Sequence, residues 1–450
     1  MSADPRASST GTHRRRRWIL GLLVGLVVAV GIGVGVHRVV FSRPQTYPWP
    51  PEACVVQGID ARCGTFTVPE NRAAPHGRTI GLRVGVLPAT LEPDRTVAAA
   101  YLAGGPGVPA TTLTADLAEQ LVALRMNRDI VLVDQRGTGG SMTEGGDGRD
   151  NGTRMAMDDL DAVRAALGYR RLDVIGSSYG ATAAQVYARL HPSAVRTLTF
   201  TGGTLIDVPF FARYAANSQR ALDDVAGLCA ADPACREAFP GWERRFGELV
   251  RAWNADPGRM TGDELASVVH VMLLDLNTAV SVPLVVSSAA TGDDGPLARA
   301  GGGDLRADLD AMSRSIWCNE PWTGLDATGP WGTDFDGYTT ARIAAFRRAC
   351  DAAPRRAEPA SLWTLPAPSR IPVLAFVGGA DPQDPIGNLA GLKRHFPDSR
   401  TVVFPHIGHQ VGVGGCVDHT IAAFVARGTT RGLDTTRCDG AVVVPAFPLR

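Results

Sequence analysis

A serine stands between two glycines in the run Gly176-Ser177-Ser178-Tyr179-Gly180. The run follows a β-rich stretch that ends at Ile175 and precedes a helix-like stretch that extends to Leu190. A G-x-S-x-G pattern between a strand and a helix is typical of a sharp turn that exposes the serine oxygen above the end of a sheet. Ser178 is therefore the candidate nucleophile, because Ser177 would place Ile175 and Tyr179 at the two crowded positions that suit glycine.

An acid and a histidine follow Ser178, and serine, acid, histidine is one of the known chain orders of a catalytic triad. Asp381 lies in the turn after a short buried strand predicted over 370–377, and His409 follows the next strand, predicted over 401–404. Ligands and chemistry in open α/β sheets lie at the carboxyl ends of the strands. We predict that Asp381 orients the imidazole of His409 and that His409 is the general base.

Each of these two residues has a neighbouring alternative of the same type. Asp384 lies in the same acidic turn, where it is expected to end the turn or cap the helix that follows. His406 directly follows Phe404-Pro405, which indicates a strand end rather than a mobile loop. Chain order and local context favour Asp381 and His409. The histidines at 191 and 270 are interpreted as helix-surface or core residues.

Glycine-rich backbone follows an earlier predicted strand over 97–102. The sequence there is Ala103-Gly104-Gly105-Pro106-Gly107, whose backbone a substrate could approach closely. In a hydrolase of this type one oxyanion donor is the N–H after the nucleophile and another comes from such a loop. We therefore expect the N–H groups of Tyr179 and Gly105 to form the oxyanion hole; the alternative is a plain tight turn.

Residues 134–141 have the sequence Asp-Gln-Arg-Gly-Thr-Gly-Gly-Ser. Together with the segments around Ser178, Asp381, His409 and the glycine loop, this run makes the chain resemble the prolyl aminopeptidase and tripeptidyl aminopeptidase family of serine peptidases. The resemblance extends from about Cys54 onward. The resemblance implies an α/β-hydrolase fold with a mainly parallel sheet and an inserted helical cap. It also implies that Asp134 and Arg136 support the active-site loops. The chain departs from the exported tripeptidyl branch at Ser177, where that branch has glycine, and in the short segment 142–151, so the peptidase specificity stays open.

The middle of the chain differs from both ends in its predicted secondary structure. Helix-like runs over 212–231, 242–253 and 338–353 replace the strand-turn-helix rhythm. We predict a helical cap over 210–368 between two core parts, 52–209 and 369–450. Within the cap, Glu320 and Trp317 are the candidates for binding the charged amino terminus of a peptide. The resemblance implies that cap glutamates select free amino termini, and the alternative is that Glu320 is an ordinary solvated or ion-paired residue.

The amino-terminal part predicts export. A basic tail over 1–17, with four consecutive arginines, precedes an uncharged apolar run over 18–36, and a linker follows over 37–51. Positive charge before the run favours a cytoplasmic amino terminus. The length of the run lies on the border between a signal peptide and a membrane-spanning helix. Because no A-x-A-like site follows, we favour an uncleaved anchor in the cell membrane; a cleaved signal, which would give a secreted protein, stays open.

Charge and cysteine content limit the possible partners. Lysine plus arginine equals aspartate plus glutamate at 45 each, so nothing indicates a nucleic-acid partner. All eight cysteines follow the apolar run, and an even number in an oxidising compartment indicates disulfides. Spacing and the resemblance suggest Cys54–Cys63, Cys229–Cys235, Cys318–Cys350 and Cys416–Cys438. A zinc site is the alternative, although no C-x-x-C pair or His/Cys cluster supports it.

These features together predict an exported serine hydrolase that acts on the amino-terminal end of short peptides through an acyl-enzyme. The chemistry needs no metal and no organic cofactor. A carboxylesterase or lipase with the same triad is the second interpretation, and a non-catalytic hydrolase-like binding protein is the third. The oligomeric state, the residue preference and the number of residues removed stay open.

Overall fold

The computed structural model describes residues 49–142, 148–301, 309–354, 356, 358–365 and 368–450 of the 450-residue chain. The predicted basic tail, the apolar run over 18–36 and nearly all of the predicted linker lie outside the described residues. Within the described ranges, no helix is both long enough and apolar enough to cross a membrane.

In the described ranges, nine strands form one sheet. In chain order they are β1 Glu52–Val56, β2 Ile59–Pro69, β3 Thr79–Leu87, β4 Val97–Leu102, β5 Ile130–Val133, β6 Arg171–Ser177, β7 Val195–Thr201, β8 Val373–Gly378 and β9 Ser399–Phe404. Their order across the sheet is β1-β2-β3-β5-β4-β6-β7-β8-β9. Strands β1 to β3 are antiparallel, and β3 pairs antiparallel with β5. The other pairs are parallel, so the sheet is mainly parallel, as predicted.

Buried apolar side chains cover both faces of the parallel part. Every residue of β4, β5 and β8 is buried, as expected where helices pack on both sides of a sheet. Successive residues belong to opposite faces: Val174 and Val373 join one apolar cluster, whereas Ile175 and Leu374 join the other. This period of two follows from the pleat of a strand.

Helices connect the strands. They are α1 Thr114–Gln120, α2 Thr153–Ala166, α3 Tyr179–Leu190, α4 Tyr214–Ala231, α5 Pro233–Ala238, α6 Trp242–Ala255, α7 Gly262–Met272, α8 Leu276–Ala279, α9 Val282–Ala290, α10 Gly295–Ala300, α11 Ala311–Asn319, α12 Asp336–Cys350, α13 Leu392–His395 and α14 Cys416–Arg427. Helices α4 to α12 all lie in the chain between β7 and β8, which are neighbours in the sheet. This helical segment is thus an insertion between two adjacent strands, in the stretch where the sequence predicts a cap.

Four disulfides use all eight cysteines. The pairs are Cys54–Cys63, Cys229–Cys235, Cys318–Cys350 and Cys416–Cys438, which confirms the suggested pairing. The zinc alternative therefore has no cysteine ligands left. Disulfides persist in oxidising compartments, so the four bonds indicate a protein that works outside the cytoplasm.

Candidate active site

The backbone at Ser178 is strained and crowded. Ser178 lies between β6 and α3 with a φ of 54°, a conformation that residues with a side chain rarely adopt. A Cβ atom at Gly176 would lie 2.2 Å from the carbonyl oxygen of Gly180, and one at Gly180 would lie 2.0 Å from the carbonyl oxygen of Leu102. Only glycine fits these two places. The surrounding packing therefore holds the serine in its unfavourable turn.

Three residues from distant parts of the chain form one hydrogen-bonded series. His409 Nε2 lies 2.8 Å from Ser178 Oγ, and His409 Nδ1 lies 2.9 Å from Asp381 Oδ2. The other oxygen of Asp381 accepts the backbone N–H groups of Gln383 and Asp384 at 2.8 and 2.9 Å. The arrangement can transfer the serine proton to the imidazole while the carboxylate fixes the ring.

Charges within this series oppose the effect of burial on each group. Burial alone would raise the pKa of Asp381, but His409 and the two N–H groups of the turn lower it below its usual value. Burial alone would lower the pKa of His409, but Asp381 and Asp384 outweigh it and raise that pKa to about 9. The imidazole is therefore a strong base once it has lost its proton.

Asp384 lies beside this series, and one of the two roles predicted for it, the capping of a helix, is not seen. The short 3-10 turn after Pro385 has no side-chain cap, so Asp384 is not a helix cap. Its Oδ2 atom lies 3.7 Å from His409 Nδ1, and the residue lines the cavity in front of Ser178. Burial first, and then the charge of Asp381, raise the pKa of Asp384 to about 6.

The other histidines have separate partners. His406 Nδ1 lies 2.9 Å from an Asp224 oxygen, so this ring is paired with a carboxylate other than Asp381. His270 is fully buried between Tyr214 and Ser218, at 2.7 and 2.9 Å. Burial lowers the pKa of His270 to about 3, so it is neutral at ordinary pH. This geometry agrees with the choice of His409 over His406.

The predicted oxyanion donors flank Ser178 in the cavity wall. Gly105 and Tyr179 both line the cavity that contains Ser178. Tyr179 is the first residue of α3, where backbone N–H groups have no acceptor within the helix. Gly105 has a φ of 107°, and a Cβ at Gly104 would lie 3.1 Å from the Cβ of Ser178. The glycine loop thus packs directly against the nucleophile, which keeps both residues as donor candidates.

Asp134 and Arg136 tie loops together away from the cavity. The guanidinium of Arg136 is buried, donates to both oxygens of Asp159 at 2.7 and 2.8 Å and donates to the carbonyl oxygens of Glu70 and Asp150. Asp134 accepts bonds from Thr111 N, Thr111 Oγ1 and Gly140 N. Neither residue lines the cavity, which supports the structural role that the resemblance implies.

The cavity in front of Ser178 has a volume of about 250 Å³. Trp317, a predicted substrate-binding residue, forms part of its wall, and its ring lies 4.5 Å from that of Phe346. Sequence reasoning missed the apolar wall residues Leu205, Ile206 and Val208. The sequence did contain a signal for them, because these residues lie four to seven positions after the end of β7, near the carboxyl edge of the parallel sheet.

Glu320 does not lie where the sequence predicts it. It is buried, and it is not among the residues that line the cavity. Its carboxylate accepts Thr153 N at 2.7 Å, Thr153 Oγ1 at 2.8 Å and Trp322 Nε1 at 2.8 Å. Burial, the largest influence, raises the pKa of Glu320 to about 7.

The contacts of Glu320 show what it does instead. Thr153 is the first residue of α2, and the N-cap position before it is Gly152, which offers no side chain. Glu320 therefore supplies a cap to that helix from a distant part of the chain. This placement gives no support to the prediction that its carboxylate receives the amino group of a substrate.

Comparison with known families gives two matches. Residues 102–237 match a family described as alpha/beta hydrolase fold, and this stretch includes Ser178. Residues 338–438 match a family described as TAP-like protein, and this stretch includes Asp381 and His409. The two matched stretches lie on opposite sides of most of the helical segment.

Similar individual proteins include peptidases and other hydrolases. Proline iminopeptidase of Xylella fastidiosa (strain Temecula1 / ATCC 700964) is 41% identical over 73 residues, which are 16% of this chain and 23% of that protein. A hydrolase of Escherichia coli (strain K12) is 33% identical over 92 residues, 19% of this chain and 18% of that one. The chain thus spans 18–23% of the length of these curated relatives.

Solved structures give more extended but more distant matches. The crystal structure of proline iminopeptidase from Mycobacterium smegmatis has 18% sequence identity, covers 81% of this chain and 98% of its own, and has a TM-score of 0.42. A thermophilic esterase from Thermogutta terrifontis has 16% identity, covers 82% and 100%, and has a TM-score of 0.39.

Proposed function

We propose that this chain, which belongs to the α/β-hydrolase family of the prolyl and tripeptidyl aminopeptidases, is a serine aminopeptidase that removes residues from the amino end of short peptides. The observation that carries the proposal is the hydrogen-bonded series from Ser178 through His409 to Asp381, which opens into a cavity. The strained serine turn and the adjacent glycine loop supply the other parts of an acyl-transfer site.

The first half of the reaction forms an acyl-enzyme. His409 takes the proton of Ser178 as Oγ attacks the scissile carbonyl carbon. Negative charge develops on the carbonyl oxygen, and the N–H groups of Tyr179 and Gly105 stabilise it. Asp381 stabilises the imidazolium that forms, without taking its proton. The imidazolium then donates that proton to the leaving amine, and the peptide bond breaks.

The second half repeats these steps with water. His409 removes a proton from a water molecule as the water oxygen attacks the ester carbonyl carbon of the acyl-enzyme. The same two N–H groups hold the second oxyanion, and Ser178 regains its proton as the carboxylate product leaves. The apolar wall formed by Leu205, Ile206 and Val208 limits the water around the acyl group.

We also propose that the enzyme is exported and held in the cell membrane by its predicted apolar run over 18–36. The four disulfides support a site of action outside the cytoplasm. The basic tail before the run supports an orientation with the catalytic part exported. Amino-terminal sequencing of the protein recovered from membranes and from medium distinguishes a retained anchor from a cleaved signal.

An esterase is the second candidate function, and one observation favours it. Much of the cavity wall is apolar, including Leu205, Ile206, Val208, Phe210, Leu309 and Phe346, and Glu320 lies outside the wall. A site of this kind also suits a hydrophobic acyl group, because the same triad cleaves esters and amides.

One experiment separates the two candidates. The full-length chain and its Ser178→Ala variant are assayed with peptide amides that carry a free amino terminus, with the N-acetylated versions and with short acyl esters. The aminopeptidase proposal predicts cleavage of the free-amine amides in preference to the acetylated ones, and loss of this activity in Ser178→Ala. Cleavage of esters alone by the unaltered enzyme would establish the esterase. Equal amide cleavage by Ser178→Ala would exclude Ser178 as the nucleophile.

A further inference from the structure

Two carboxylates follow β8 three residues apart, and they use their oxygens differently. Both oxygens of Asp381 have partners: one faces His409, and the other accepts two backbone N–H groups of the turn. Asp384 instead lines the cavity, with a side chain that is 9% exposed, and the Thr204 side chain of the same wall interacts with it and lowers its pKa. Its distance of 3.7 Å from His409 Nδ1 exceeds that of a hydrogen bond.

We propose that Asp384 is the carboxylate that binds the terminal amino group of the substrate, so that the free amine is recognised beside the catalytic histidine and not by the helical segment. This inference rests on the proposed aminopeptidase function and assigns its specificity-determining residue. Among carboxylates, Asp384 is the residue that lines the cavity in the described part of the chain.

The position of Asp384 suits an amine close to the scissile bond. Asp384 lies at the Nδ1 edge of the His409 ring, whereas Ser178 lies at the Nε2 edge. One imidazole ring and one hydrogen bond therefore separate the carboxylate from the nucleophile. An ammonium group held at Asp384 would leave the carbonyl of a nearby residue at Ser178, which favours removal of a short amino-terminal piece.

Hydrogen bonds from helix α4 hold the turn that carries Asp384 in the protein without substrate. Asn217 Nδ2 donates to the carbonyl oxygen of Gln383 at 3.3 Å. Arg220 donates to the carbonyl oxygens of Gly379 and Asp381 at 2.6 and 2.8 Å. These bonds fix the backbone that leads into Asp384, so the carboxylate is preorganised for a ligand.

The charges around Asp384 explain why a cation would bind there. A buried carboxylate is costly unless a positive group is close, and the second carboxylate, Asp381, adds repulsion. His409 is the attractive group on the core side. From the helical segment, Tyr214 of α4 faces Asp384, and Arg342 of α12 lines the same cavity with its guanidinium 5.2 Å from the Phe346 ring. His270 of α7, also behind this wall, is neutral.

An ammonium group bound at Asp384 would also lower the pKa of His409. Asp384 is one of the charges that raise the pKa of His409. A cation that neutralises Asp384 removes this contribution, so the pKa of His409 falls and a larger fraction of the imidazole is unprotonated near neutral pH. A free-amine substrate would thus improve its own general base, whereas an acetylated substrate would not.

The test compares two carboxylate variants in the full-length protein, Asp384→Asn and Glu320→Gln. Glu320 is the matched control because it is also buried and close to the site but does not line the cavity. The substrates are one peptide anilide with a free amino terminus and its N-acetylated form. The measured quantity is the ratio of their kcat/KM values, with active enzyme counted by titration of Ser178.

We expect Asp384→Asn to lower that ratio about 10- to 100-fold, the usual effect of removing one charge-assisted hydrogen bond. Glu320→Gln should leave the ratio within about threefold, since it removes no cavity contact. Equal losses on both substrates in Asp384→Asn would overturn the inference and make Asp384 a residue that acts through His409. A fall of the ratio in Glu320→Gln but not in Asp384→Asn would overturn it as well.

A second measurement needs no substitution. In the unaltered enzyme, the pH dependence of kcat reports the pKa of His409 with substrate bound. We expect a lower apparent pKa with the free-amine anilide than with the acetylated one, and identical values would contradict the inference. An unaltered enzyme that cleaves esters but neither anilide would instead refute the proposed aminopeptidase function itself.

Discussion

The sheet edge around Ser178 and Asp381 differs from the helical segment between β7 and β8 in what positions the side chains. At the sheet edge, backbone groups do most of the positioning: glycines crowd the Ser178 turn, and two N–H groups fix Asp381. In the helical segment, side chains pack on side chains, as where the Trp317 ring lies 5.5 Å from that of Trp322. The first region therefore holds the groups of the proposed chemistry, whereas the second shapes part of the cavity wall and buries supporting groups such as Glu320.

The largest effect that would test this contrast is expected at the sheet edge. Asp381→Asn keeps the shape of the side chain but removes the charge that stabilises the His409 imidazolium, so we expect kcat to fall about 10³- to 10⁴-fold. Asp224→Asn, which removes the partner of His406, is the control and should keep kcat within about tenfold. Steady-state kinetics on a peptide anilide or an ester give both values. A larger loss of kcat in Asp224→Asn than in Asp381→Asn would indicate that His406 and Asp224 are the catalytic pair.

Two glycine substitutions compare the backbones of the two regions. A Cβ at Gly180 would lie 2.0 Å from a β4 carbonyl oxygen, whereas a Cβ at Gly227, in α4, meets nothing within 4 Å. We expect Gly180→Ala to destabilise the fold by more than about 3 kcal/mol. Gly227→Ala should stabilise it by about 0.5–1 kcal/mol, because alanine favours helices. Denaturant unfolding measures both, and a stable Gly180→Ala protein would show that the turn is less crowded than described.

The pH dependence of activity tests the charges around His409 at the sheet edge. His409 is the proposed general base and must be unprotonated to act; Asp381 and Asp384 raise its pKa to about 9 although burial opposes this. We therefore expect kcat/KM for an acetylated ester to rise with pH, with an apparent pKa above the ordinary histidine value of about 6.5. Asp384→Asn should shift this apparent pKa downward. A midpoint below 6 in the unaltered enzyme would contradict the raised pKa.

The smallest effect is expected in the helical segment. Glu320→Gln replaces an acceptor of three hydrogen bonds by an amide whose NH₂ group cannot accept, so an N–H of Thr153 or Trp322 loses its partner. We expect a loss of about 1–3 kcal/mol in the free energy of unfolding. Glu243→Gln, at an exposed position in α6, should change it by less than about 0.5 kcal/mol. Equal stabilities of the two variants would mean that Glu320 is not an effective cap for α2.

Local patterns predicted the parts of the molecule that depend on neighbouring residues. The turn around Ser178 follows from two glycines beside a strand, and the mainly parallel sheet follows from apolar runs such as 97–102 and 373–377. The disulfides also join cysteines 6–32 residues apart, so spacing together with family resemblance was enough to suggest them. The antiparallel strands β1 to β3 were not predicted, because their pairing depends on a register that no short motif in this stretch specifies.

The sequence by itself determined which residue types could do chemistry here and their order along the chain: a serine in a glycine turn, then an acid, then a histidine. Only the tertiary structure decided which carboxylate faces the cavity. Glu320 and its partner Thr153 are 167 positions apart, so no local spacing could show that a helix end would engage that side chain. Asp384 reaches the cavity because α4 holds its turn, and such contacts exist only after distant elements have packed together.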